Sequence, residues 1–211
     1  MRQRLDVDDK PSFVYIIKQF ARRHPAWVNV DLLETAAQVR NFIVHEHRTP
    51  YQPLVFPTQG LVDEIKIACQ RLTNPDRVIP RFQVSVQSVR SEDSLAQVLR
   101  RIAERDYSQF PVYSGTTIPG LLTENGITRW LARHVVSKLS LIELEDITVK
   151  QVFPEEEHRP NWRFVPRDEP VITVREFFSA QSLLEAVLIT QTGTQKEKLL
   201  GIITRWDILQ T

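Results

Sequence analysis

Thr204 and Asp207 stand three residues apart where an apolar run, Leu199-Leu200-Gly201-Ile202-Ile203, gives way to Arg205-Trp206 and then Ile208-Leu209. The β-branched run reads as a buried strand and Thr-x-x-Asp as the start of a helix, so a strand runs straight into a helix N-terminus. Free backbone N–H groups and the positive end of the helix dipole gather at such a junction. A phosphate has a seat there beside the Thr204 hydroxyl, the Asp207 carboxylate and the Arg205 guanidinium. The same spacing also describes a capping box, in which Asp207 only closes the helix start. A second constellation is Arg40 and His45, an Arg-x4-His pattern in which the arginine could hold a phosphate while the imidazole moves a proton. Its plain structural reading is an arginine paired with a carboxylate and a histidine at a helix interface. His45 and His47 lie two residues apart, about 200° on a helix, so they cannot chelate together, and no metal site is expected. Cys69 is the only cysteine, which excludes an intrachain disulfide and a cysteine-rich zinc site; it reads as a buried, inert thiol.

The chain that must position these groups has 211 residues, 42% apolar and 25% charged, enough for one or two ordinary domains. Lys+Arg 27 against Asp+Glu 26 leaves a net charge of +1, which calls for neither nucleic acid nor an anionic membrane as partner. The start, Met1-Arg2-Gln3-Arg4-Leu5-Asp6, lacks the apolar core of a leader, and no stretch approaches the roughly 18 apolar residues of a membrane span. A cytoplasmic protein is expected.

Residues 1 to about 80 read as three helices. Phe13, Ile16, Ile17 and Phe20 form one stripe that Pro25 closes; Asp31 caps a second helix carrying Leu32, Leu33, Ala36, Ala37, Val39, Phe42, Ile43 and Val44; Pro50, Pro53 and Pro57 impose an extended connection. A third helix follows Gly60, with Leu61, Ile65, Cys69 and Leu72 inward, and stops near Asn74-Pro75. From Arg81 the texture changes. Gln83 to Gln87 alternates as a strand or extended linker; Val89 to Leu95 leads into a helix with Leu95, Val98, Leu99 and Ile102 on one face; Phe110 to Tyr113 and Pro119 to Leu122 are strands around Ser114-Gly115; Thr123 opens a helix with Ile127, Leu131 and Val135. Trp27, Trp130, Trp162 and Trp206 read as packing residues and Glu155-Glu156-Glu157 as a solvated charge run.

This plan repeats. Val165 to Val171 answers Val89 to Leu95, Ala186 to Ile189 answers Pro111 to Tyr113, and Gly201-Ile202-Ile203-Thr204 answers Gly120-Leu121-Leu122-Thr123. Matching Gly126-Ile127-Thr128-Arg129-Trp130 to Ile203 through Trp206 instead would set a helix against a strand, so that register is set aside.

Two copies of strand, helix, hairpin and a helix entered through Gly-h-h-Thr resemble a tandem pair of CBS domains, or Bateman module. The carriers are Ser108-Gln109-Phe110-Pro111-Val112 with Gly120-Leu121-Leu122-Thr123, and Gly201 through Asp207. The resemblance covers residues from about 82 to 211 and implies an α/β (α+β) fold: a CBS pair with pseudo-two-fold symmetry, residues 82–140 and 141–211, preceded by an all-α three-helix segment, 1–80. It further implies that an adenosine-containing ligand (AMP, ADP, ATP or related) binds in the cleft between copies as a regulator, with no cofactor required. In one cleft Thr204 would meet phosphate and Asp207 the ribose hydroxyls, Arg205 would approach the phosphate, and Phe82, Val86, Gln87, Tyr107, Ser108, Gln109 and Phe110 would surround the base. The other would use Thr123, Val165, Leu183 and Leu184, with Gly126 at the aspartate position and Asn125 one residue out of register. A hydrogen bond to a charged group is worth roughly 1.5–3 kcal/mol, a ten- to hundredfold effect, so this site is expected to be the weaker.

Arg40 through His45 also resembles the signature of HEPN domains, which include metal-independent ribonucleases. Three readings follow: a regulatory sensor without a catalytic residue, a CBS-gated HEPN-type ribonuclease using Arg40 and His45, and a non-binding dimerisation scaffold. A homodimer through the CBS module or the N-terminal helices fits each, since both leave apolar faces to cover, and an effector protein fits the first.

Overall fold

The structure is a computed structural model and describes residues 11–45, 47–49, 52–53, 55–105, 107–137, 144–156 and 161–210. Pro50, Glu157, the side chain of Val135 and the boundary between 140 and 141 lie outside the described residues. The chain forms two compact units, residues 1–76 with 170–176, and 77–169 with 177–211.

In the first unit, α1 (Phe13–Arg23) starts at Ser12, whose hydroxyl accepts from the Tyr15 N–H at 3.2 Å. Helix α2 (Val30–His45) is capped by Asn29, which accepts from the Leu32 N–H at 3.1 Å. Asp31 therefore sits inside the first turn, where its charge suits the helix dipole, and is not the cap. The proline-rich connection contains a short antiparallel pair, β1 (His47–Thr49) and β2 (Gln52–Pro53). Helix α3 (Gln59–Thr73) is capped by Thr58. Of the apolar stripes, Ile17 and Leu33 are buried, whereas Phe13, Ile16 and Leu72 are exposed. Cys69, expected to be buried, is exposed: α3 has no buried residue among those described.

Residues 77–211 realise the repeat. Its first copy orders β3 (Val89–Arg90), α5 (Leu95–Arg105), β4 (Gln109–Ser114), β5 (Thr117–Thr123) and α6 (Glu124–Ser137), after a one-turn α4 (Val78–Arg81). The second orders β6 (Trp162–Pro166), α8 (Val171–Ala180), β7 (Ala186–Thr190), β8 (Gly201–Thr204) and α9 (Arg205–Leu209), after a one-turn α7 (Val149–Val152) and a 3-10 turn, Phe153–Glu155. Each sheet has three strands, the first parallel to the second and the second antiparallel to the third. Residues 83–87, read as a strand or linker, form no strand. They make one bridge, Gln83 with Gly201, and continue irregularly.

The two short helices that lead into the copies are exchanged. Val78 and Ile79 donate to the carbonyls of Glu169 and Arg167 in the second copy at 2.9 and 3.2 Å. Val149 and Lys150 donate to Asp93 and Ser91 in the first copy, both at 2.9 Å. Val149 and Val152 consequently belong to the first copy's core, with Val89, Leu95, Val98, Phe110, Val112, Leu122, Ile127 and Trp130. Burying side chains of this size stabilises by roughly 1.5–3 kcal/mol each, which holds each lead-in helix on the opposite copy. These matched bonds set Val78 against Val149 and hence Phe82 against Phe153. At both places the aromatic residue abuts the Gly-h-h-Thr glycine: the Phe82 carbonyl at Gly201 and the Phe153 ring at Gly120. A second core joins the copies, with Ile118, Leu188 and Leu199 buried beneath Val86, Tyr113, Trp162, Phe164 and Ile202. Trp206, expected to pack, is exposed, because α9 turns that face outward.

Candidate functional site

At the second copy's strand-to-helix junction Asp207 does act on Thr204. Its Oδ2 accepts from the Thr204 N–H and from the Thr204 hydroxyl, both at 2.7 Å. Oδ1 receives no bond among the described residues, so a capping carboxylate still has one oxygen to offer. Arg205 does not face this carboxylate. Its Nη1 donates to the Phe178 carbonyl at 3.0 Å, and its Nη2 lies 2.9, 3.1 and 3.2 Å from the carbonyls of Gln181, Ser182 and Leu184. The Phe178 carbonyl belongs to the last turn of α8, where a cation is favoured by the helix dipole, and the other three follow the helix. Arg205 is thus held by backbone carbonyls at and beyond the end of α8.

The lead-in segment reaches this junction: besides the Gln83–Gly201 bridge, the Val84 N–H donates to the Leu200 carbonyl at 3.3 Å. Val86 is half-buried in the shared core, and Gln87 is exposed. Tyr107 and Ser108, and Leu183 and Leu184, are placed by the register of the two hairpins. Within each antiparallel hairpin the start of one strand faces the end of the next. Gln109 therefore pairs with Thr123, and the Ser108 carbonyl accepts from the Glu124 N–H at 3.2 Å. Ala186 likewise pairs with Thr204, and Leu184 meets Arg205. Tyr107 and Ser108 thus neighbour Thr123 in their own copy, while Leu183 and Leu184 neighbour Thr204 in theirs. Phe110, Leu184 and Val165 are buried in the cores, whereas Tyr107 and Leu183 are exposed.

The first copy's junction holds what the sequence reading missed. The Glu156 carboxylate accepts from the Thr123 N–H through Oε1 at 2.5 Å and from the Thr123 hydroxyl through Oε2 at 3.2 Å. This is the pattern that Asp207 makes with Thr204. Glu156 is buried, not solvated as the charge run suggested, and a Cβ on Gly126 would fall on its carboxylate. Asn125, beside it, is exposed. From α6, Arg129 places Nη2 3.8 Å from Glu156 Oε2 and donates from Nε to the Glu155 carbonyl at 3.3 Å. Arg133, one turn on, pairs with the Glu155 carboxylate. Burial raises the Glu156 carboxyl from 4.5 to about 7, opposed by the Thr123 hydrogen bonds and the Arg129 charge and assisted by Glu185. The one available signal was the repeated Val-x-x-x-Phe, Val78 to Phe82 and Val149 to Phe153, which marks equivalent lead-ins.

Arg40 and His45 lie five residues apart on α2, about 140° around it. Arg40 donates to Asn41 Oδ1 at 3.0 Å, and both residues are exposed. Among the described residues no group of three or more histidine, cysteine, aspartate or glutamate side chains could hold a metal, and no helix is long and apolar enough to cross a membrane.

Two sheets of identical strand order, each ending in a threonine held by a carboxylate, define a tandem α/β module. A family model for the CBS domain matches residues 82–133 and 145–211, over half of the chain, and the chain belongs to the CBS-domain family. It is similar in fold to the CBS domain of a CBS domain-containing membrane protein from Sphaerobacter thermophilus, with 18% identity, a TM-score of 0.51, and 72% of this chain and 97% of that one covered. A protein from Methanocaldococcus jannaschii is similar at 13% identity and a TM-score of 0.51, over 83% of this chain and 63% of that one. The CBS domain of a bacterial CNNM/CorC family Mg2+ transporter, solved in complex with ATP, is 16% identical with a TM-score of 0.45, over 69% and 92%. At these identities the likeness is one of fold. No curated protein sequence matches the chain.

Proposed function

We propose that the chain is a regulatory protein whose tandem CBS module takes an adenosine-containing ligand, such as AMP, ADP or ATP, in the cleft built on Thr204 and Asp207. The observation that carries this reading is the Asp207 carboxylate. Two bonds from Thr204 to Oδ2 fix its rotamer, and Oδ1 stays an acceptor for the paired hydroxyls of a ribose. The lead-in from Phe82 to Gln87, bonded to the start of β8, and the exposed Leu183 offer apolar walls for a base. The N-terminal helices would pass the bound state to a second copy or to an effector protein.

No catalytic residue is needed, because binding one state of a protein more tightly is sufficient to shift it. Calorimetric titration with AMP, ADP, ATP, S-adenosylmethionine and cyclic di-AMP is expected to find one binding ligand, weakened about ten- to hundredfold by Asp207→Ala. Silence with every nucleotide, or an unchanged affinity in the variant, refutes the reading.

A further inference from the structure

We propose that Glu156 is an internal substitute for the aspartate the first copy lacks: its carboxylate holds Thr123 as Asp207 holds Thr204 and closes that junction to ligand hydroxyls. The module would then take its adenosine ligand at the second junction alone, a clause that rests on the function proposed above.

The matched hydrogen bonds of the exchanged lead-in helices set Val78 against Val149, and three residues beyond Phe82 and Phe153 stand Ser85 and Glu156. The second junction therefore has a carboxylate on its own helix, Asp207, and a small exposed residue, Ser85, in the lead-in that reaches it. At the first junction the order is reversed, with no side chain on the helix, Gly126, and a carboxylate in the lead-in, Glu156. The two differences are coupled in space, since a Cβ at Gly126 would occupy the place of the Glu156 carboxylate. Gly126 is then an accommodation and not merely a lost ligand residue. The two carboxylates also differ in what they leave free. Thr123 engages both oxygens of Glu156, with Arg129 beside Oε2, whereas Thr204 engages only Oδ2 of Asp207. Thr123 is buried beneath this arrangement, and its hydroxyl also accepts from the Gly126 N–H at 3.1 Å. A ribose approaching the first junction would have to displace a buried, doubly bonded carboxylate. At the second it finds an oxygen ready to accept.

The test exchanges the pair in the full chain, using wild type, Gly126→Asp, Glu156→Ser and the double variant. Without ligand, Gly126→Asp is expected to lower the unfolding temperature by several degrees while Glu156 is present, because two carboxylates then compete for Thr123. It should raise that temperature in the Glu156→Ser background, where the new aspartate takes over both bonds. An equal effect of Gly126→Asp in both backgrounds overturns the substitution. In calorimetry with ATP and AMP, the wild type is expected to bind one nucleotide per chain and the double variant two. Two per wild-type chain, or one per double-variant chain, overturns the closure. If neither protein binds any nucleotide, the adenosine reading fails, and the ligand-free cycle decides the role of Glu156 by itself. If the Gly126→Asp protein does not fold, recovery of folding in the double variant supports the coupling, and failure of both overturns it.

Discussion

Replacing Glu156 by glutamine should make the protein relatively more stable as pH rises. The folded carboxyl is raised from 4.5 to about 7, chiefly by burial, so the folded chain binds its proton more tightly than the unfolded chain does. A raised folded value contributes stability that is fully present below about pH 4.5 and is lost as pH rises through about 7. The displacement from 4.5 to about 7, at about 1.4 kcal/mol per pH unit, corresponds to a loss of about 3 kcal/mol. Glutamine is neutral throughout and keeps an oxygen for the Thr123 N–H. Other titrating groups are common to both proteins and cancel in the difference. Urea unfolding of wild type and Glu156→Gln from about pH 5 to about pH 8 should show the stability difference moving in the variant's favour by about 2–3 kcal/mol, most of it below about pH 7. A difference that is flat with pH, or that moves towards the wild type on the alkaline side, refutes the buried carboxylate.

Two further substitutions separate scaffold from site. Arg205→Ala should cost about 2 kcal/mol in urea unfolding, because the carbonyls at and beyond the end of α8 lose a charged donor, and nucleotide affinity should fall far less than in Asp207→Ala; an unchanged stability with lost binding would make Arg205 a ligand residue after all. Gly201→Ala sets a Cβ against the Phe82 carbonyl, a backbone atom that cannot swing aside, and should cost about 1–3 kcal/mol; a variant as stable as wild type would show that the lead-in does not cross β8 here.

The repeat was legible because its signals are local. Gly-h-h-Thr, the turn at Ser114-Gly115 and the alternation of short strands with amphipathic helices are set by backbone geometry and side-chain period, so the two copies and their hairpins are readable from spacing. The Thr204–Asp207 contact was legible for the same reason, as residues three apart meet across one helical turn. What tertiary structure decided depends on partners distant in sequence. Helices α4 and α7 are single turns, too short to stand on propensity, and their bonds go to Glu169, Arg167, Asp93 and Ser91. Nothing in the sequence near Glu156 marks its carboxylate for burial; only the space left by Gly126 and the donors of Thr123, 33 residues away, take it out of water. Cys69 and Trp206 show the converse, apolar types that local pattern turns inward but that no described element covers. By itself the sequence determined two copies of one α/β unit and one complete threonine–aspartate junction, because both are written within single turns and hairpins. Which carboxylate serves the other junction was decided by the exchange of lead-in segments, a long-range packing choice that no local spacing records.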